Sequence, residues 1–484
     1  MSRFRDGVAG PLVGSRLTQL IVAVGASAIA ARLISSGNTH TLAAGAIALV
    51  VVGALMRWPA LTLVSVLILC QELDPGLASP GTSSGGLVYL GYQVYFRTVG
   101  RVSLLTLLVV LALGRVLIAA RPFPPRRTAV LLVLALGAYI TALLWADGTS
   151  LTSAINQDAR FAILFGACFA VGVAAANSRE WMLDAVPVFQ WVLTGMVLIG
   201  LYLAASGQGQ GPTGTSVIFY DAATGAIAGA AMLAAVLTPS AQRTGRLWWI
   251  AGAGLLVVIL SARRDVWAAI IVALLLSLMF AQDRMRLILR LLAGAAVGLL
   301  VLAVFLPAAL GGIGHQLSAI WGATQGTAAD SSVKGHLSDI TVGWDAVKAS
   351  PLTGVGPSGH VAGLVAEGTG PLYIHNQVLE SWLRFGLLGA VLVIAIQLVL
   401  LVQGLVTLRR PGIDFAVRWA ATLLIMAPVS LLTAPFLTTT QRWPAILGFA
   451  AGVIAPVLRA HPGADSIELA GRSRPDVGAD AAPA

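Results

Sequence analysis

Two short stretches of this sequence hold side chains suited to chemistry on a phosphorylated substrate. In the first, Arg263, Arg264 and Asp265 are consecutive. Guanidinium forks bind phosphate oxygens bidentately and keep their charge at any pH, so the two arginines read as an anion clamp, with Asp265 placed to hold one of them. Arg160, at the start of another apolar stretch, is a further candidate for the same clamp. In the second stretch, His375 precedes Asn376. A neutral imidazole accepts a hydroxyl proton near neutral pH, which makes His375 the candidate general base. Three more histidines, His315, His336 and His360, stand upstream of it and read as polar surface. Their spacing matches no compact metal-ligand motif and no cysteine accompanies them, so neither a metal nor another cofactor is expected.

The elements that must position these groups are membrane spans. Hydrophobic residues make up 57% of the 484-residue chain and charged residues only 10%, against about 25% charged in soluble domains. The apolar residues fall in blocks long enough, or nearly so, to cross a bilayer as helices, the form in which lipid leaves no backbone group unsatisfied. The spans are read at 17–36, 40–56, 58–73, 98–120, 128–146, 159–176, 185–206, 218–238, 246–262, 265–281, 287–310, 386–407, 416–437 and 443–458. Fourteen is the best count. If the short second and third form one pair, twelve or thirteen remain, so the class is all-α integral membrane protein with about 12–14 transmembrane helices. With the N-terminus inside and strict alternation, twenty of the thirty Lys and Arg residues fall on the inner side, the expected positive-inside bias. The net charge of +10 therefore reads as membrane electrostatics rather than nucleic-acid binding. Cys70 and Cys168 both lie in apolar stretches and imply no disulfide framework.

The spans divide the chain into an N-terminal bundle of about eleven (1–310), one large extracytoplasmic loop (311–385), C-terminal spans (386–458) and a cytoplasmic tail rich in Pro, Gly, Ala and Asp (459–484), expected to be disordered. In the loop, Leu337, Ile340, Trp344 and Val347 recur at helical spacing, which predicts an amphipathic helix suited to the membrane interface and ended by Pro351. A second helix is expected from about Asn376, with Glu380 and Arg384 at i,i+4 and able to pair. Between them, Gly354-Val355-Gly356-Pro357-Ser358-Gly359 fits the G-x-G-x-x-G pattern, yet no strand precedes it. It reads as a tight turn in which Gly354 and Gly356 let the backbone approach a ligand or the membrane.

The order and types of these residues resemble the O-antigen ligase and polymerase superfamily. The resemblance rests on Trp344 followed by Pro351-Leu-Thr-Gly354-Val-Gly356-Pro357, then His375-Asn376-Gln-Val-Leu379, then Gly386-Leu-Leu-Gly389 entering a span, and on Leu260-Ser-Ala-Arg263-Arg264 at an outer helix junction. It covers about a third of the chain by motif. The resemblance implies transfer of a glycan from a polyisoprenyl-pyrophosphate carrier to a hydroxyl of a glycan, lipid or protein acceptor, without a metal. The setting it implies is a bacterial inner (cytoplasmic) membrane with both termini cytoplasmic. By the same resemblance His375 is the base and Arg264 stabilises the leaving pyrophosphate, with Arg263, Arg160, Asn376, Glu380, Arg384, Trp344, Gly354 and Gly356 as substrate-binding candidates. The sequence departs from the pattern at several points. Arg263 stands where the family usually has Ser, Arg384 where an acidic residue is common, and Ile340 where an arginine often precedes the tryptophan by four residues. No arginine occurs between Arg179 and Arg243, where many ligases supply a second phosphate-binding arginine.

Two other classes stay open at the level of sequence. A flippase or transporter of lipid-linked saccharides would show internal repeats and polar midplane groups. A glycosyltransferase of another type would use an outer-loop carboxylate, with Asp330, Asp339, Asp345, Glu367 and Glu380 as candidates.

Overall fold

The computed structural model describes residues 50–69, 98–99, 102–119, 160–205, 222–239, 242, 244–261, 263–280, 331–356, 361–364, 374–434, 437 and 440–459, with isolated positions between 285 and 318. The spans expected at 17–36 and 128–146, most of that at 287–310, and the tail after Arg459 lie outside the described residues.

Within them the architecture is that of an all-α membrane protein. The helices are α1 (50–57), α2 (Pro59–Leu69), α3 (Leu104–Ala119), α4 (Arg160–Ala176), α5 (Arg179–Ala205) and α6 (Ala222–Leu237). They continue with α7 (Gly245–Ser261), α8 (Arg264–Phe280), α9 (Ser331–Ala349), α10 (Gln377–Leu408), α11 (Phe415–Thr433) and α12 (Arg442–Arg459). The described strands are a two-residue ribbon, β1 (Thr98–Val99) antiparallel to β2 (Val102–Ser103), leading into α3. Asp184–Tyr202 within α5, α10 and α11 are long and apolar enough to cross a membrane, and α2, α4, α6, α7 and most of α3 are shorter apolar helices. The expected spans match these helices to within several residues except at one place. The segments expected at 40–56 and 58–73, with an inner turn at Arg57, instead meet at the single residue Trp58. Pro59 has no N–H to continue the ladder, so one helix ends on Trp58 and the next begins there. One residue leaves no room for a turn between antiparallel spans. Arg115 of α3 donates from Nε to the Met56 carbonyl, 3.0 Å away, near the junction.

The centre is made of α6 and α11. The apolar window of α11 is 83% buried, against 28% in α5 and in α10, which therefore lie at the periphery. Eleven of the sixteen residues of α6 are Ala, Gly or Thr, so neighbours approach its axis closely and it is buried nearly throughout. The Trp419 indole N–H of α11 bonds the Ile227 carbonyl of α6 at 3.3 Å.

The tightest crossing joins α4 to α12. In lipid there is no hydrophobic drive between helices, so close contact between small residues holds them together. Gly448 and Gly452 lie four apart on α12 and face the Phe165 and Phe169 carbonyls of α4, while Gly172 of α4 faces the Phe449 carbonyl. A Cβ at any of the three would strike backbone, which cannot move aside as a side chain can. Gly452→Leu is therefore expected to cost at least about 2 kcal/mol, seen as a lower unfolding temperature in detergent. Leu at Gly114 of α3, where a Cβ meets open space, is expected to leave it nearly unchanged.

Candidate functional site

The described part of the segment before α10 folds around a small core of its own. Val347, Leu364, Ile374, Leu379 and Leu383 form it, so α9 lies against the first two turns of α10. The sequence-predicted helix is present and ends before Pro351. Its apolar stripe turns outward: Leu337, Ile340 and Trp344 are 59%, 38% and 46% exposed. The packed stripe is instead His336, Asp339, Gly343 and Val347. At Gly343 the missing side chain leaves space filled by Ile374 and Leu379. The residue before His375 is thus seated directly on α9.

The glycine-rich turn closes on the chain's own backbone. Gly354 and Gly386 have φ of 67° and 68°, a region that favours glycine. Val355 N–H bonds the Leu383 carbonyl at 2.6 Å, and Leu387 N–H bonds the Leu352 carbonyl at 3.2 Å. A Cβ on Gly354 would strike the Leu383 and Trp382 carbonyls, and one on Gly386 the Leu352 carbonyl. Gly386 is also where α10 kinks, at the boundary expected between loop and span. The approach allowed by Gly354 is to the backbone of residues 382–383. Gly356 also has positive φ, at 89°.

Asn376 caps α10. Its side-chain oxygen accepts the Leu379 N–H at 2.9 Å, and its amide nitrogen donates to the Leu432 carbonyl of α11 at 3.1 Å. Both ends of this side chain thus fix the backbone beside His375. Glu380 and Arg384 form the expected pair at 3.4 Å, but both are fully buried. Gln377 donates to Glu380 and Ser381 and accepts the Leu437 N–H, tying α10 to the segment before α12. These three residues support the site from below. Trp344 stacks edge-on against Trp382, centroids 5.7 Å apart, and Trp382 donates to the Pro351 carbonyl.

His375 meets a carboxylate that sequence reasoning did not pair with it. Its Nδ1 lies 2.8 Å from Oδ2 of Asp339, which is fully buried. A carboxylate only accepts, so Nδ1 carries the proton and Nε2 presents its lone pair. His336, read from sequence as polar surface, lies with its ring centroid 3.7 Å from that of His375. Its i,i+3 spacing to Asp339 on the helix was the available signal. Burial holds both imidazoles below the usual value. For His375, Asp339 opposes this and Arg263 reinforces it. For His336 burial leads, with His375 and Arg263 adding to it and Asp339 and Asp265 opposing, and the value falls to about 4.

The arginine turn reaches the same place. Arg263 precedes α8 and grips Asp265 with two bonds, at 2.9 and 3.1 Å. Arg263 acts electrostatically on both histidines, and α8 touches α10. Arg264 is half-buried as the first residue of α8. Arg160 opens α4, and its side chain lies outside the described set. His315 and His360 also lie outside the described residues.

Next to Asn376, an apolar groove of about 480 Å³ opens between α9, α10 and α11, lined by Ile340, Trp344, Trp382, Ile394, Leu398 and Leu432 among others. Gly386→Ala is expected to undo the stitch between turn and kink, since it adds strain of about 1–3 kcal/mol at positive φ to a backbone clash. Faster proteolysis within 350–376, with the spans still protected, is the expected readout. Asn376→Ala is expected to cost about 1 kcal/mol through loss of the cap, read as a lower unfolding temperature.

No curated protein matches the chain. A family model does, over residues 248–394, a stretch running from α7 through the Arg263–Asp265 turn and His375 into α10. Residues 248–394 therefore carry the domain of the O-Antigen ligase family.

Proposed function

We propose that this protein transfers a glycan from a polyisoprenyl-pyrophosphate carrier to an acceptor hydroxyl at the outer face of a bacterial inner membrane, as a ligase or a polymerase. The observation that carries the reading is the meeting of a carboxylate-oriented imidazole with the arginine turn at one place. In the proposed reaction the acceptor O–H gives its proton to Nε2 of His375 while its oxygen attacks the anomeric carbon. The bond from that carbon to the pyrophosphate oxygen breaks, and the electron pair leaves on polyisoprenyl pyrophosphate. Arg264, with Arg263 beside it, offsets the charge that develops there, the place where fixed cations lower a barrier most. Asp339 holds His375 in the tautomer that can accept.

The apolar groove supports a lipid-linked donor. It opens beside Asn376, adjacent to the base, on a face made by peripheral α10. A prenyl chain lying there would put its pyrophosphate near His375 without leaving the bilayer. The carboxylate alternative finds less support among the described residues. Asp339 is engaged by His375 and Glu380 is buried with Arg384, while Asp345 is exposed and paired with Lys348.

His375→Ala is expected to abolish transfer from a pyrophosphate-linked oligosaccharide donor in detergent while the protein elutes as wild type. Retained turnover would sink the base assignment. Asp339→Asn is expected to lower turnover by about 10²–10⁴-fold, because an amide donating to Nδ1 moves the imidazole proton to Nε2. The pH profile follows from the sign of the shift. A base acts above its pKa, and that of His375 is lowered. The acidic limb of kcat/KM is therefore expected below about pH 6.5, the free imidazole value. Product length separates the two activities, a ladder meaning polymerase and a single addition ligase.

A further inference from the structure

His336 has no part in the reaction as written, yet its ring packs directly against that of His375. The two ring centroids are 3.7 Å apart with the planes at 65°, an edge-to-face contact. His336 stands one helical turn before Asp339 on α9, so a single rigid helix presents both the carboxylate at Nδ1 and a second ring against the imidazole. The groups that act on His336 come from three places: Asp339 on α9, His375 before α10, and Arg263 with Asp265 at the start of α8. A cation at His336 would face both His375 and Arg263, and burial disfavours it further. The ring is neutral across the working range.

We propose that His336 is a positioning residue for the base. Its ring packs against His375, fixes that ring in the orientation in which Nδ1 meets Asp339, and keeps water from its side. This rests on the reading of His375 as the base. Two physical effects follow. A ring held by a hydrogen bond at one nitrogen still pivots about that bond, and a second contact at its side stops the pivot. Excluding water also keeps the imidazole from charging early, because burial penalises only the charged form. Bulk and flatness are what this role requires, not titration. Phenylalanine should replace His336 and alanine should not.

The test needs no knowledge of the acceptor. Diethyl pyrocarbonate acylates neutral imidazole, so its rate at His375, followed by mass spectrometry across roughly pH 4 to 8, titrates the base directly. In His336→Ala the midpoint at His375 is expected to rise by about half to one pH unit, since water regains access. Transfer from a pyrophosphate-linked oligosaccharide donor is expected to fall about tenfold, a fraction of the roughly 10²–10⁴-fold that a general base contributes, because the base is misplaced and not removed. In His336→Phe both are expected to stay near wild type. An unchanged midpoint in His336→Ala overturns the proposal. So does a His336→Phe protein as inactive as His375→Ala, because the imidazole of His336 would then be needed for chemistry. Elution volume and unfolding temperature of each variant separate these results from misfolding. If His375→Ala retains transfer, the base reading fails, while the titration still reports whether His336 shields the ring.

Discussion

A helix end inside a bilayer exposes carbonyls that water cannot reach, and each must find a donor from elsewhere in the chain. At three places among the described residues an arginine supplies that donor. Arg115 donates to the Met56 carbonyl at the α1–α2 junction. Arg442, fully buried at the start of α12, donates to the Leu67 and Ile68 carbonyls at the end of α2 and to the Thr224 hydroxyl. Arg410, just past α10, donates to the Val457 and Leu458 carbonyls at the end of α12. A guanidinium suits this task because its five donors lie in one plane and reach two adjacent carbonyls together. Arginines that look from sequence like a topology signal are therefore also the joints of the bundle.

The kink at Gly386 is repaired differently, and the site depends on the difference. Backbone from the loop, not a side chain, fills the gap. The carbonyl of Leu352 takes the Leu387 N–H, and the Leu383 carbonyl takes the Val355 N–H. The loop is thereby fixed to the one span whose first turns carry the cap of the base. With Asn376 bonded to α11 and Gln377 to residue 437, the 352–355 turn and the 432–437 stretch both tie to the first turns of α10, just after His375. A loop tethered only at its two ends would leave the base free to wander. This one is tethered at the place where the span begins.

What was legible in the sequence followed from signals that need no partner. Apolar blocks locate spans because the bilayer itself imposes the length. The loop helix, the pairing of Glu380 with Arg384 and the grip of Asp265 on an adjacent arginine are local and were readable. Asp339 and His336 were not paired with His375 because a linear pattern marks the apolar face of α9 but does not say which distant residue its other face meets. Leu337, Ile340 and Trp344 are exposed, and the stripe turned inward is the small and polar one, Asp339 and Gly343. The G-x-G-x-x-G run misled in a related way. Its first glycine marks a close backbone approach, as read, but spacing alone does not say whether the approaching backbone meets a ligand or the chain itself. The α1–α2 junction escaped notice because hydropathy does not distinguish a turn from a proline break.

On the proposed reaction, the charges around His375 are already arranged for the proton it would receive. At rest Asp339 is buried against a neutral imidazole, a costly place for a carboxylate unless something later offsets it. Arg263 and Asp265 largely cancel one another nearby. In the proposed reaction the acceptor proton moves to His375, creating an imidazolium within hydrogen-bond distance of Asp339, just as negative charge grows on the departing pyrophosphate beside Arg264. Both new charges then find opposite partners already fixed in place, and neither needs water to reorganise around it. Without Asp339 the imidazolium would form in a half-buried site with Arg263 opposing it. Without the arginines the pyrophosphate would leave into a low-dielectric boundary. The same burial that makes Asp339 costly in the resting protein makes its attraction for the imidazolium strong in the transition state.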